Sequence, residues 1–393
     1  MQKAEPFKID QWMEEYGPGA KICLYDSFVS ALSLNELQQL APDASHVAID
    51  PDLKLTYGTL LGSPRLRERI AKIHSSPEAP LTAANVVITP GSIMANYLVL
   101  AAICGAGDHI ICQYPTYGQL YLLPRYSGVD VSLWAMHENN DWSCNVEELA
   151  GMIKANTKAI IINNPNNPTG AVISKDKLKE ILALAREHGI VVFSDEVYSP
   201  LFHTSNRPPP LVSLGYSHAI STGSVSKAHG LPGIRVGWAV SQNAEILQRI
   251  TTLRDYTTTS VSQLDDSVAA FALSEKVLPR LMERNMAACT ESMAILDDFI
   301  KRNARRCRWA KPDGAATAFV QILNEDGSAS DDVAFSKQLV EQEGIVVLPG
   351  GHCFGEAGVN DLKGYIRLPL GQPRLLDAAL ETLEKFIHKQ TCF

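Results

Sequence analysis

The sequence predicts an α/β protein: a mostly parallel, seven-stranded sheet flanked by helices, followed by a smaller α+β unit. Three observations predict it. Short apolar runs alternate with helix-period segments from residue 86 to residue 240, the rhythm of repeated β-α units. The run Ile190-Val191-Val192-Phe193-Ser194-Asp195 is almost continuously apolar, as central parallel strands are. After Thr257 the pattern changes to long helix-period stretches and then three short strands.

The elements follow in order. A short helix is expected before the Gly17-Pro18-Gly19 break, and another from Ser33, which has Glu36 at the capping-box position. Pro64 suits the first turn of a helix that carries Leu66 and Ile70 on one face. The seven strands are read at Val86–Thr89, His109–Cys112, Val129–Trp134, Ala159–Asn163, Ile190–Asp195, Ala219–Thr222 and Val236–Val240. Helices start at Ile93 and run over Leu178–His188. Val261 to Asn303 reads as one long connecting helix, broken near Pro279. Thr317–Leu323, Ile345–Leu348 and Tyr365–Leu368 read as strands of the smaller unit, and Leu375–Lys389 as a terminal amphipathic helix.

At 393 residues the chain exceeds what one core needs, so two packed units are expected. A net charge of −8 argues against nucleic acid or an anionic membrane as partner. No apolar run reaches membrane-spanning length. The start, Met1 to Pro6, has no signal or transit character, and Cys392-Phe393 lacks a prenylation frame. The eight cysteines are scattered with no Cys-x-x-Cys pair, so no metal is expected and the setting reads as cytoplasmic and reduced.

The chemistry concentrates at strand ends, where open α/β sheets bind ligands. Ser224 to Trp238 holds Lys227 among small hydroxyl and glycine residues, with Arg235 just beyond. Hydroxyls and an arginine suit a phosphate, and a lysine beside another cation has a lowered pKa and attacks carbonyls. The reading is that Lys227 carries pyridoxal phosphate (PLP) as a Schiff base. Pro90-Gly91-Ser92, between a strand and a helix N-terminus, makes an anion site from backbone N–H groups. Asp195 is either a cap or salt-bridged carboxylate, or the partner of a protonated pyridine nitrogen. Tyr198 is placed to donate to a phenolate oxygen. Asn167, in Asn166-Asn167-Pro168-Thr169-Gly170, is a turn residue or an amide donor to the same oxygen. Tyr117 is packing or a ring that stacks on the cofactor. Arg367, between Ile366 and Leu368, forms a structural salt bridge or grips a substrate α-carboxylate.

Together these motifs resemble the class I/II aminotransferases, PLP enzymes of fold type I. They are Tyr57-Gly58 with Gly62 and Leu66-Arg67, Asn166 to Gly170, Ser194-Asp195-Glu196-Val197-Tyr198, Ser224 to Lys227 with Arg235, and Tyr365-Ile366-Arg367. The resemblance implies that Lys227 is the Schiff-base lysine and then the general acid/base at the substrate Cα. It implies that Asp195 holds the pyridine nitrogen, that Asn167 and Tyr198 hold the phenolate oxygen, and that Tyr117 stacks. Ser92, Ile93, Ser224 and Arg235 are implied to bind phosphate, with Ile93 departing from the small or polar residue of many relatives. Arg367 is implied to bind the substrate carboxylate. Tyr57 is implied to reach the partner's phosphate, hence a homodimer, with residues 255–263 contributing to the neighbouring site. That segment has no arginine after Arg254, so a second substrate carboxylate is not expected there. The implied domains are a segment 1–45 packing on the small domain, a PLP-binding domain 46–280, and a small domain 281–393.

The implied activity starts from an external aldimine of an α-amino acid and removal of its Cα proton. An aminotransferase ranks first. Thr56 to Arg69 and Gly107 to Leu123 also resemble the capreomycidine synthase-like branch, so a PLP-dependent cyclase or lyase ranks second. A non-catalytic PLP-fold protein is remote, because Lys227, Asp195 and Arg367 are all retained.

Overall fold

The computed structural model describes residues 4–43 and 46–389. Its main sheet has seven strands: β1 (Val86–Pro90), β2 (His109–Tyr114), β3 (Asp130–Ala135), β4 (Thr157–Asn163), β5 (Val191–Asp195), β6 (Ala219–Ser224) and β7 (Val236–Ser241). All seven predicted strands are present, with ends within two residues. Their order is β1-β7-β6-β5-β4-β2-β3. Strand β7 is antiparallel to both β1 and β6, and the other neighbours are parallel. The reversal has a simple cause. Only residues 225–235 join β6 to β7, too few for the crossover that a parallel neighbour needs.

Residues alternate between the two faces of the sheet. Val87, Ile110, Ile161, Phe193, Ile220 and Ala239 pack on one side with Leu98, Leu120 and Ile250 from three helices. Ile88, Ile111, Ile160, Val192, Trp238 and Val240 pack on the other with Leu66, Ile181 and Val268. Both faces are therefore covered, and functional side chains collect where the strands end.

A second, antiparallel sheet contains β8 (Cys307–Arg308), β9 (Thr317–Ile322), β10 (Leu348–Pro349) and β11 (Tyr365–Pro369), in the order β10-β11-β9-β8. One expectation needs correction here, and the helix break expected near Pro279 is found. The strand expected over Ile345–Leu348 is split. Ile345–Val346 pairs in parallel with Ile22–Cys23, and only β10 joins the larger ladder. The Val261–Asn303 helix is two helices, Gln263–Ala272 and Leu278–Arg302. The break lies ahead of Pro279, which occupies the first turn, where its missing N–H costs nothing.

The N-terminal segment is anchored rather than free. Helix Lys8–Tyr16 buries Ile9 and Trp12, and the Trp12 indole donates to the Val347 carbonyl at 2.9 Å. Farther on, the Ser30 N–H donates to Gly371 O and the Val29 N–H to Lys227 O. Among the described residues no helix is long and apolar enough to cross a membrane. The expectations on residues 1–3 and 390–393 lie outside the described residues.

Candidate active site

One cavity of about 270 Å³ lies at the carboxyl ends of β1, β2, β4, β5 and β6 and reaches β11. Of the sequence-predicted residues, Lys227, Asp195, Tyr198, Asn167, Tyr117, Ser92, Ile93, Arg235 and Arg367 line it. Two do not. Ser224 is buried at the end of β6, where its hydroxyl accepts the Ser226 N–H at 2.9 Å; Ser226 lines the cavity instead. Tyr57 is 85% exposed, away from the cavity of its own chain.

Lys227 sits in the connection between β6 and β7. Its Nζ donates to Ser27 Oγ at 2.8 Å and lies 5.7 Å from the Phe28 ring centre. Burial, then the nearby Arg367 guanidinium, lower its pKa to about 8. Near neutral pH such an amine exchanges protons far more readily than an ordinary lysine. Asp195 is 3% exposed, and burial raises its pKa to about 6. Two hydrogen bonds oppose that rise: Asn96 Nδ2 to Oδ2 at 2.8 Å, and the Val197 N–H to Oδ1 at 3.1 Å. Thr222 Oγ1 donates to Asn96 Oδ1 at 2.7 Å, which turns the amide so that its N–H faces the carboxylate.

The Asn167 N–H donates to Asn163 Oδ1 at 2.7 Å, pinning its loop to the end of β4. Its own Oδ1 accepts Arg367 Nη1 at 3.0 Å. Arg367 Nη2 donates to the Tyr25 carbonyl, while Nε is buried without a partner. A buried guanidinium with an open donor is suited to a carboxylate. Tyr198, 1% exposed, hydrogen-bonds the Ser27 hydroxyl, and burial raises its pKa. Burial likewise raises that of Tyr117, whose ring meets Phe7 edge-on at 5.3 Å.

Opposite Lys227, the helix Gly91–Ile103 begins with Gly91 at a φ of +76°, where any side chain would strike the Arg235 guanidinium. A side chain on Gly237 would strike the Gly91-Ser92 backbone. These bare positions bring the arginine and the helix N-terminus together as a cradle for an anion. Sequence reasoning missed Asn96, Ser226, Ser27 and the N-terminal contributors Asp10, Tyr25 and Asp26. Asn96 had a legible signal: it is polar within an apolar helix, one turn beyond Ser92.

The cavity therefore offers an amine, an acid awaiting a cation, amide and phenol donors, an anion cradle and an open guanidinium. That donor set fits PLP. The sequence matches the family "Aminotransferase class I and II" over residues 30–383. The chain belongs to this family. A PLP-dependent aminotransferase from Streptococcus suis has the same fold, with a TM-score of 0.88, 31% identity and 99% of each chain covered. Tyrosine aminotransferase from Caenorhabditis elegans is 29% identical over 88% of this chain and 74% of its own length. Capreomycidine synthase from Streptomyces vinaceus is also 29% identical, over 89% of this chain and 86% of its own. This member of the class I and II aminotransferase family is a PLP-dependent enzyme of fold type I.

Proposed function

We propose that the enzyme transaminates an α-amino acid: the amino group passes to a keto acid, and the donor leaves as its own keto acid. One observation carries this reading. Lys227, with its depressed pKa, and Arg367, with its open Nε, line one cavity. The bound cofactor supplies an electron sink for the charge left at Cα. Arg367 binds the α-carboxylate and so fixes which Cα bond faces Lys227. Lys227 would hold the cofactor, and its amine would then take the Cα proton and return it across the shared nitrogen, two bonds away. Asp195 pairs with the ring nitrogen, Asn167 and Tyr198 with the phenolate oxygen, and Tyr117 covers the ring. Ser92, Ile93, Ser224 and Arg235 would receive the phosphate, with Ser226 beside them on the cavity wall. The enzyme acts as a homodimer in which Tyr57 and residues 255–263 complete the neighbouring site, a reading supported by the exposure of Tyr57. We place it in the cytoplasm, in keeping with free thiols at all seven described cysteines.

A second reading, cyclisation or elimination from the same deprotonated substrate, is favoured by the similarity to capreomycidine synthase. The two differ in where the Cα electrons go. A panel of amino acids incubated with and without a keto acid acceptor separates them. Transamination requires turnover that depends on the acceptor. Acceptor-independent loss of substrate, with ring formation or release of water or ammonia, sinks it.

A further inference from the structure

We propose that a second cavity, on the Trp238 face of the main sheet, binds a small aromatic molecule through a hydroxyl group that His74 and Glu196 grip between them. The proposal is independent of the transamination reading, because this cavity and the one around Lys227 share no described lining residue. Its volume is about 300 Å³. It lies against β6 and β7, the last turn of helix Pro64–His74 and the first turns of helix Leu278–Arg302. Phe202, Pro208, Trp238, Leu278 and Met282 make its walls largely apolar. Ile73, Pro200 and Arg207 are exposed and mark its mouth. An apolar cleft of this size with a few convergent polar groups is the usual form of a small-molecule site.

Two buried side chains supply the convergent groups. His74 is 4% exposed and Glu196 7%. Trp238 Nε1 donates to His74 Nε2 at 3.1 Å, so the imidazole hydrogen is on Nδ1. The bare Gly223 makes room for that indole, which any side chain there would strike. His74 Nδ1 has no hydrogen-bond partner, and neither has Glu196 Oε2. The two atoms are 3.9 Å apart, too far for a hydrogen bond between them. Nor do they form a charged pair at neutral pH, because burial lowers the His74 pKa to about 4 and raises that of Glu196 to about 7. Glu196 Oε1 is already taken, by the Leu211 N–H at 2.8 Å and the Ser221 hydroxyl at 3.0 Å. The Ser194 hydroxyl is near enough to favour the charged carboxylate, yet makes no hydrogen bond of its own.

An open donor and an open acceptor at that separation define the missing group. One oxygen that accepts from Nδ1 and donates to Oε2 fits between them at about 2.8 Å from each. A hydroxyl does both. A carboxylate only accepts and would be repelled by Glu196, while an ammonium only donates and would meet the N–H of His74. Water satisfies the two atoms but leaves the apolar walls uncovered. A flat ring covers the faces of Trp238 and Phe202 as well. His229, which lines the same cavity, donates from Nδ1 to the Ser224 carbonyl at 3.3 Å. The bound molecule therefore lies against the back of the loop that carries Lys227, the place of an effector and not of a substrate.

The test compares p-cresol with 4-fluorotoluene, in which a fluorine of similar size replaces the hydroxyl. Their affinities for the PLP-loaded enzyme are measured by calorimetry at about pH 8.5, where Glu196 is ionised. p-Cresol is expected to bind about tenfold more tightly. In Glu196→Gln the Leu211 and Ser221 donors hold the amide oxygen, so its NH2 stands at the Oε2 position. The ratio is then expected to fall to about twofold or less. Met282→Trp fills the cavity from its apolar wall and is expected to weaken p-cresol binding about tenfold or more. The visible absorbance of the cofactor and the thermal transition check that each variant is folded, and either variant decides the question if the other is not. Equal binding of the two compounds by the wild type, or no binding of either, leaves the cavity to water and overturns the proposal. So does a p-cresol preference that the folded variants retain in full, since it places the site elsewhere.

Discussion

In the proposed reaction Asp195 stays ionised in a setting that favours its neutral form. Burial alone pushes its pKa up, and the Asn96 amide is the largest opposing influence. Removing that hydrogen bond in Asn96→Ala forfeits about 1.5 kcal/mol of stabilisation of the charged form, equivalent to a rise of about one pKa unit. The folded-state pKa then lies higher, so Asp195 loses its charge at a higher pH on acidification. The acid limb of the kcat profile is expected to move up by about one unit, read as the difference between variant and wild type. An unmoved limb with a uniformly lower kcat would mean that Asn96 only packs. Asp195 and Arg367 were legible in the sequence because a charged residue ending or interrupting an apolar run demands a partner, and Lys227 because it stands alone among small hydroxyl and glycine residues. Asn96 and Ser27 were not, because an amide or hydroxyl is satisfied in many settings, and only the fold brings Ser27 200 residues back to Lys227.

At the scale of elements, helix Lys8–Tyr16 forms one wall of the site and is held by a single large anchor. Trp12 is 3% exposed and donates to Val347 O. Trp12→Ala is expected to cost about 3 kcal/mol. Because the lost contacts tie the helix to the β10 neighbourhood, hydrogen exchange over residues 8–16 should rise before global unfolding is reached. The same variant should raise KM more than it lowers kcat, since one wall of the cavity moves while Lys227 stays. Protection unchanged across the helix would contradict this anchoring. The strands of the main sheet were readable at this scale because each is a continuous apolar run. The helix break at 273–277 was foreseen from Pro279, which sits in the first turn of the second helix. The split of Ile345–Pro349 was not readable, because it depends on a partner strand more than 300 residues away.

For the whole molecule, the relevant surface surrounds Tyr57. Leu55, Tyr57 and Tyr256 are each at least 78% exposed, an unusual cost for large apolar side chains in an isolated chain. If Tyr57 completes the neighbour's site, Lys227→Ala and Tyr57→Ala subunits rescue each other. A mixed dimer then holds one intact site, built from the lysine of one chain and the tyrosine of the other. Random reassembly of equal amounts gives about half mixed dimers, and so about a quarter of wild-type activity. No recovery beyond the parent variants would place Tyr57 outside the neighbouring site.

One bond gives the N-terminal segment a further importance. Ser27 belongs to the stretch that carries Asp26, and its hydroxyl holds the Lys227 amine. The part of the chain that walls the cavity thus also touches the amine inside it. Any change in residues 4–30 therefore alters the wall of the cavity and the setting of its amine together.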